Sequence, residues 1–238
     1  MDRTRPINIS SDDVDGGADQ GQRRVLRKDE AYATIRDHLL FSGDTEAALS
    51  ERSLAAQLDL SLSSVRSALE RLRAEGLISV SPNAGIRLPE ITAREILEFY
   101  EMRLVVECHI VSSIAGRLTP SQGNWLEDII GEQEICAGQR DTLRYHQLDL
   151  DFHAALAALH GNAEMIRALG QMRDKMFRLS RRLHNTHPER LLVNVGQHRA
   201  IMESVRDGKA KDALNDMKTH LTWGRAFTLD PDGRLGSA

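Results

Sequence analysis

Residues 61–78 read SLSSVRSALERLRAEGLI, a stretch in which apolar residues recur with the period of a helix. Val65, Leu69 and Leu72 are spaced by three and four positions, so they share one face of that helix. Gly76 ends it, because glycine readily takes the left-handed conformation found just beyond helix C-termini. The stretch therefore predicts an amphipathic helix whose other face carries serine and arginine side chains.

Two helices are predicted before this stretch and two short strands after it. Apolar residues follow helical spacing over 25–41, and Ser50 is placed to cap a short second helix. Residues 77–80 and 86–88 have the composition of strands and flank a segment rich in turn-forming residues, which predicts a hairpin. Three helices followed by a hairpin is the element order of a winged helix-turn-helix, which we assign to 23–89.

Beyond a short linker at Pro89-Glu90 the helical repeat continues, and it predicts a second, all-α domain over 92–227. Its helices are expected at about 92–118, 121–138, 141–160, 163–184, 188–207 and 209–227, with ends placed to within about 2–4 residues. The predicted fold class is therefore mainly α, with an N-terminal winged helix-turn-helix that carries a small β-hairpin and a C-terminal all-α bundle of about six helices. Polar composition predicts a disordered leader over 1–22 and a flexible tail over 228–238.

Composition narrows the class of protein. The chain has 41% hydrophobic and 28% charged residues, which is typical of a globular protein. No apolar run approaches the roughly 18 residues that a membrane span needs, and two cysteines cannot build a disulfide framework. We therefore expect a cytoplasmic protein without a membrane partner. The net charge is −4, so a nucleic-acid partner would require basic side chains concentrated on one face.

The N-terminal end of the helix after Ser61 carries side chains suited to DNA. The hydroxyls of Ser61 and Ser63 match phosphate oxygens, and the guanidinium of Arg66 can form a forked contact with a guanine or a phosphate. The alternative is that the serines only cap a solvated amphipathic helix. The hairpin that follows favours DNA binding, since Asn83 and Gly85 allow close approach to a neighbouring backbone.

Two stretches, LSERSLAAQL (49–58) and SSVRSALERLRAEGLI (63–78), resemble the DNA-binding module of GntR-family transcription regulators. The resemblance extends over 25–90 and implies a protein that binds a double-stranded DNA operator. It places the operator contacts at Arg52, Ser61, Ser63, Arg66, Asn83 and Gly85. Leu62 stands where the family usually carries an arginine, which leaves the operator sequence open. Because one recognition helix reads few bases, we expect a homodimer on a palindromic operator.

A second group of candidate residues lies in the predicted bundle. Asp149 and His153 are four residues apart and therefore share a helix face, while His198 and His220 fall on two later helices. If they converge, three imidazoles and one carboxylate form a site for a divalent ion, and Zn, Ni, Mn and Fe are all chemically possible. Taken singly, each histidine has a simpler explanation as a hydrogen-bonding residue of the surface or the core.

Four short stretches resemble the successive signatures of the FCD domain, the helical effector domain of the FadR subfamily of GntR regulators. They are YEMRLVVE (100–107), DLDFH (149–153), QHRAI (197–201) and MKTHL (217–221). The resemblance implies one divalent metal ion held by Asp149, His153, His198 and His220, with open positions that accept a carboxylate effector. It also places Arg103 in the same cavity as an effector-binding residue, whereas its spacing from Glu107 alone suggests a surface ion pair.

The sequence therefore favours a ligand-responsive transcription regulator, expected to be a repressor, that senses a small organic acid. The alternative from another class is a metal-dependent hydrolase in which the three-His, one-Asp site activates water. We find no nucleophile elbow, HExxH motif or phosphate loop, and so predict no enzymatic activity. A third possibility is a helical interaction protein whose DNA-binding module has lost its target.

Overall fold

The computed structural model describes residues 16–41, 49–81 and 85–231, and the chain divides into two compact units, residues 1–89 and 90–238. Over the described residues the elements are, in chain order, α1 (Gly16–Phe41), α2 (Glu51–Gln57), α3 (Leu62–Ala74), β1 (Ser79–Ser81), β2 (Gly85–Arg87), α4 (Ala93–Ile114), α5 (Pro120–Gln139), α6 (Thr142–His160), α7 (Ala163–Thr186), α8 (Arg190–Arg206) and α9 (Ala210–Leu229). This architecture confirms the predicted fold class.

The first unit is built around the apolar face of α3. Val65, Leu69 and Leu72 are buried, and α1 packs against this helix. Gly76 has a φ of 73° and lets the chain turn back, so the amide of Leu77 donates to the carbonyl of Leu72 in the manner of a helix C-cap. The helix and its end therefore form as the sequence predicts.

The hairpin is shorter than expected. β1 and β2 pair antiparallel, with Val80 opposite Ile86, and Leu49 adds a single bridge to Ile86. Leu77 and Ile78, which we assigned to the first strand, are buried in the core ahead of β1. The strand begins only at Ser79, where the side chains become exposed.

The boundary of the predicted leader is wrong in part, because α1 begins at Gly16 rather than near residue 25. Adding residues to an existing helix costs little compared with starting one, so the packed part of α1 can extend toward the N-terminus through polar sequence. The rest of the leader, the tip of the hairpin with Asn83 and residues 232–238 of the predicted tail lie outside the described residues.

The second unit is a helical bundle in which α4 packs against α9, α9 against α8, and α5 and α6 against each other. Its first helix, α4, ends at Ile114, which is within the roughly 2–4 residues expected of a helix end predicted near residue 118. Gly116 has a φ of 73°, and its amide donates to the carbonyl of Val205 over 2.8 Å. A Cβ at Gly116 would lie 3.1 Å from the Cα of Gly208. This backbone contact between two loops, which the local sequence does not reveal, ends the helix.

Polar groups lie inside the bundle as well as on its surface. Among the described residues, the buried polar or charged side chains are Arg103, Glu107, Gln133, His146, Asp149, His153, Asn194, His198 and His220. Burying such groups is costly unless they satisfy one another, so their concentration in one domain marks a candidate site. Within the described part of the chain, no helix is long and apolar enough to cross a membrane.

Candidate metal centre and DNA-binding face

Three of the four predicted metal ligands meet inside the bundle. His153 on α6, His198 on α8 and His220 on α9 are all buried, and one side-chain nitrogen of each lies within 4.8 Å of the others. The rings of His153 and His220 stack with centroids 5.3 Å apart, and His198 stacks on Phe152 at 4.3 Å. Three helices from different parts of the chain therefore direct their imidazoles to one point.

Two rings of this three-histidine cluster are held in the form that binds metal. Burial, together with the neighbouring His153 and Arg103, holds the pKa of His198 well below 6.5. Burial and the adjacent His198 do the same for the pKa of His220. Both rings are therefore neutral at pH 7, and a neutral imidazole keeps a lone pair for a metal ion.

Asp149, the fourth predicted ligand, lies beside the cluster. Its Oδ1 atom is 3.6 Å from His198 Nε2, and it accepts a hydrogen bond of 2.9 Å from Asn194 Nδ2. Among the described residues, buried His198 Nε2 has no hydrogen-bond partner. A buried nitrogen of this kind needs a partner, and a divalent ion between the histidines and Asp149 would supply one. The donor set of imidazoles and a carboxylate fits such an ion.

Arg103 also reaches the cluster. Its side chain is only 6% exposed, its Nε atom donates to Glu107 Oε1 over 2.5 Å, and its Nη2 atom lies 3.1 Å from His153 Nε2. The pair with Glu107 that spacing alone suggested exists, but it is buried in the bundle and not at the surface. Burial alone raises the pKa of Glu107, yet Arg103 and His153 outweigh it and hold that pKa well below its usual range. A charged pair therefore lies next to the histidines.

Four further polar residues, for which the sequence predicted no role, lie in the site. Glu107, Gln133, Asn194 and Gln197 each contact a predicted site residue. Gln133 carries a recognisable signal, because it interrupts the apolar stripe of α5 at a position that is fully buried. A polar residue at a buried helix position usually has a specific hydrogen-bond partner.

Four of the predicted DNA contacts, Arg52, Ser61, Ser63 and Arg66, are exposed on the first unit. Arg52 is exposed on α2, and Arg66 on α3 is exposed and donates from Nε to Glu51 Oε2 over 2.8 Å. Ser61 caps α3 by accepting from the amide of Ser64, and its hydroxyl lies 2.9 Å from that of Ser63. The capping role considered for the serines is therefore present.

Gly85, the remaining predicted contact that the structure describes, is the first residue of β2. Its φ is 66°, a conformation that favours glycine over residues with a side chain. Its partner in the hairpin is Ser81. The glycine thus keeps the start of this strand free of a side chain, as close approach to another backbone requires.

Comparisons with known proteins match both units. Residues 98–222 match the FCD domain, and residues 27–88 match the family described as bacterial regulatory proteins, gntR family. An uncharacterised HTH-type transcriptional regulator in an unstable DNA locus of Streptomyces ambofaciens is 31% identical, over 74% of this chain and 73% of that protein. The HTH-type transcriptional repressor NanR of Cronobacter sakazakii is 25% identical, over 91% and 92%.

A crystal structure from Rhodococcus sp. RHA1, described as a putative transcriptional regulator GntR, shares the fold. The TM-score is 0.75 at 23% identity, over 86% of this chain and 98% of that one. At this identity the comparison supports the architecture, with its helical N-terminal unit, hairpin and helical bundle.

Proposed function

Because this chain belongs to the GntR family of bacterial transcription regulators and carries an FCD domain, we propose that it is a cytoplasmic, homodimeric repressor whose DNA affinity a small organic acid controls. The two family matches confirm the resemblance to GntR regulators with an FCD domain. The chain's relatives are regulators and not enzymes, which removes the hydrolase alternative.

The three-histidine cluster is the main structural support for a ligand-sensing role. Three imidazoles in a buried space, one with an unpartnered Nε2 among the described residues, form an unusual core unless they serve a ligand. We infer that His153, His198 and His220 hold a divalent ion, with Asp149 as the fourth ligand. Once bound, the ion supplies positive charge and open coordination positions for an anionic group.

Arg103 supports a carboxylate as that anionic group. Its Nε atom is already bonded to Glu107, while Nη2 points toward His153. The planar guanidinium matches the two oxygens of a carboxylate, which a lysine ammonium does not. A carboxylate between Arg103 and the metal position would thus meet positive charge from both sides.

The helix that carries Arg103 is also the one that follows the DNA-binding unit in the chain. The N-terminus of α4 is stabilised, because Thr92 and Glu95 form a capping box and Lys175 Nζ lies 3.4 Å from Glu95 Oε1. The bonds from Thr92 lower the pKa of Glu95 to about 2, so this cap is charged throughout the physiological range. A ligand that moves α4 can act on the linker through this helix start, and a coupling of about 1–3 kcal/mol is enough to change operator occupancy.

On the DNA side, we assign operator reading to α3 in each protomer of a dimer, with Arg52 on α2 as a phosphate contact. The module match over residues 27–88 supports this assignment. One relative, NanR, is described as a repressor, which supports repression over activation.

Calorimetry with a panel of monocarboxylates, dicarboxylates and sugar acids tests the effector. We expect one acid to bind the metal-loaded protein and to change its affinity for an operator fragment selected from genomic DNA. Arg103→Lys keeps the buried positive charge but loses the planar guanidinium. The variant should therefore bind the acid more weakly, while its metal content stays the same. Arg199→Lys, at an exposed position of α8, is the matched control.

Two results would contradict the proposal. One is a panel in which only uncharged or cationic compounds bind. The other is an Arg103→Lys variant that responds to the acid as the wild type does.

A further inference from the structure

Two histidines of the cluster each have a glutamine side-chain oxygen close to Nδ1 of the ring. His198 Nδ1 lies 2.9 Å from Gln133 Oε1, and His220 Nδ1 lies 3.0 Å from Gln197 Oε1. An amide oxygen can only accept, so each of these nitrogens is the donor. In a neutral imidazole the single proton is therefore on Nδ1, and the lone pair is on Nε2.

The orientation of Gln133 is itself fixed. Its Nε2 atom donates to the backbone carbonyl of Leu148 over 3.0 Å, which turns the amide oxygen toward His198. The side chain is fully buried. Because an amide at such a position is costly to bury, its two bonds indicate a specific arrangement rather than a chance contact.

The third ring, His153, has a carboxylate as its neighbour. Its Nδ1 atom lies 2.5 Å from Glu107 Oε2, and Glu107 is paired with Arg103. The other two rings have neutral amides in place of a carboxylate. The amides orient their rings without adding negative charge to a site that already contains Glu107 and Asp149.

We propose that Gln133 and Gln197 are positioning residues of the metal centre, whose amide oxygens hold the Nδ1 protons of His198 and His220 and leave both Nε2 lone pairs for the ion. This inference rests on the proposed metal site, and neither glutamine belongs to the ligand set that the family resemblance implies. Outer groups that orient histidine ligands commonly change metal affinity about 10–100-fold when removed.

Gln197→Met is the most informative substitution, because Gln197 is only half-buried and methionine keeps the chain length without the acceptor. We expect Zn²⁺ affinity, measured by competition with a chromophoric chelator, to fall about 10–100-fold. Gln197→Glu restores an acceptor oxygen and should return the affinity close to that of the wild type.

Gln147→Met is the matched control for this substitution. Gln147 is also a half-buried glutamine, and it lies on α6, a helix that carries two of the proposed ligands. The glutamine bonds to the described cluster come from Gln133 and Gln197 and not from Gln147. We therefore expect the control variant to bind Zn²⁺ as the wild type does.

Two further measurements separate positioning from folding. The visible spectrum of the Co²⁺-loaded protein reports ligand geometry and should differ between Gln197→Met and the wild type. A purely structural role would lower only the melting temperature of the metal-free protein, leaving Zn²⁺ affinity and the Co²⁺ spectrum unchanged, and that result overturns the inference. A wild-type protein that binds no Zn²⁺ overturns the proposed metal site as well, so the two failures are distinguishable.

Discussion

Arg66 in the DNA-binding unit and Arg103 in the bundle each pair with a glutamate, but the two pairs lie in opposite environments. Arg66 donates to Glu51 over 2.8 Å, with the arginine side chain 65% exposed. Arg103 donates to Glu107 over 2.5 Å, and both side chains are almost fully buried. The same chemistry thus occurs once in water and once in the core.

The difference determines what each arginine can do. In water, Coulomb attraction is weak and screened, so Arg66 can exchange Glu51 for a phosphate or a base at little cost. In the core, separating Arg103 from Glu107 would leave two buried charges without partners. The exposed arginine is therefore suited to a partner that binds reversibly at the surface, and the buried arginine to a ligand that enters a fixed site.

Glutamate substitutions should show the largest difference between the two pairs. Glu107→Gln leaves the Arg103 charge uncompensated in the core, and we expect it to lower the free energy of unfolding by about 3–5 kcal/mol. Glu51→Gln should change stability little, because exposed ion pairs contribute little. Urea unfolding of both variants provides the comparison. Equal effects from the two substitutions would show that burial does not distinguish the pairs.

Arginine substitutions in the DNA-binding unit test a smaller effect. Arg66→Ala should weaken operator binding on the order of ten- to a hundredfold and relax the preference at one base position in each half-site. Arg52→Ala should lower the affinity for all DNA sequences alike and make that affinity less dependent on salt concentration, as expected for a phosphate contact. Fluorescence anisotropy with operator and scrambled duplexes measures both. Wild-type affinity in Arg66→Ala would mean that α3 is oriented differently on DNA.

Much of the fold follows from local sequence. Apolar spacing predicts α3, and the cap residue Thr92 marks the start of α4. The exact end of α4 does not follow from these local features, because Gly116 approaches Gly208, which is 92 positions later in the chain. Apolar spacing and cap residues reflect interactions within one helix, so they do not predict contacts between distant loops.

The same limit applies to the candidate site. The spacing of Asp149 and His153 identifies a shared helix face, and the family resemblance adds the other two histidines. Gln133 interrupts an apolar stripe, but that spacing does not identify its partner His198, which is 65 positions away and on another helix. Its role follows only from the packing that brings α5 and α8 together.

The metal content of the purified protein shows whether the three-histidine cluster holds an ion. Protein prepared without a nickel column or chelator should contain about one equivalent of a divalent ion, and His198→Ala should contain almost none. Chelation should lower the melting temperature of the wild type, because a ligand that binds only the folded state stabilises it by about 2.7 kcal/mol at a hundred times its Kd. Wild-type protein that contains no metal, and whose melting temperature does not change when Zn²⁺ is added, would contradict the account.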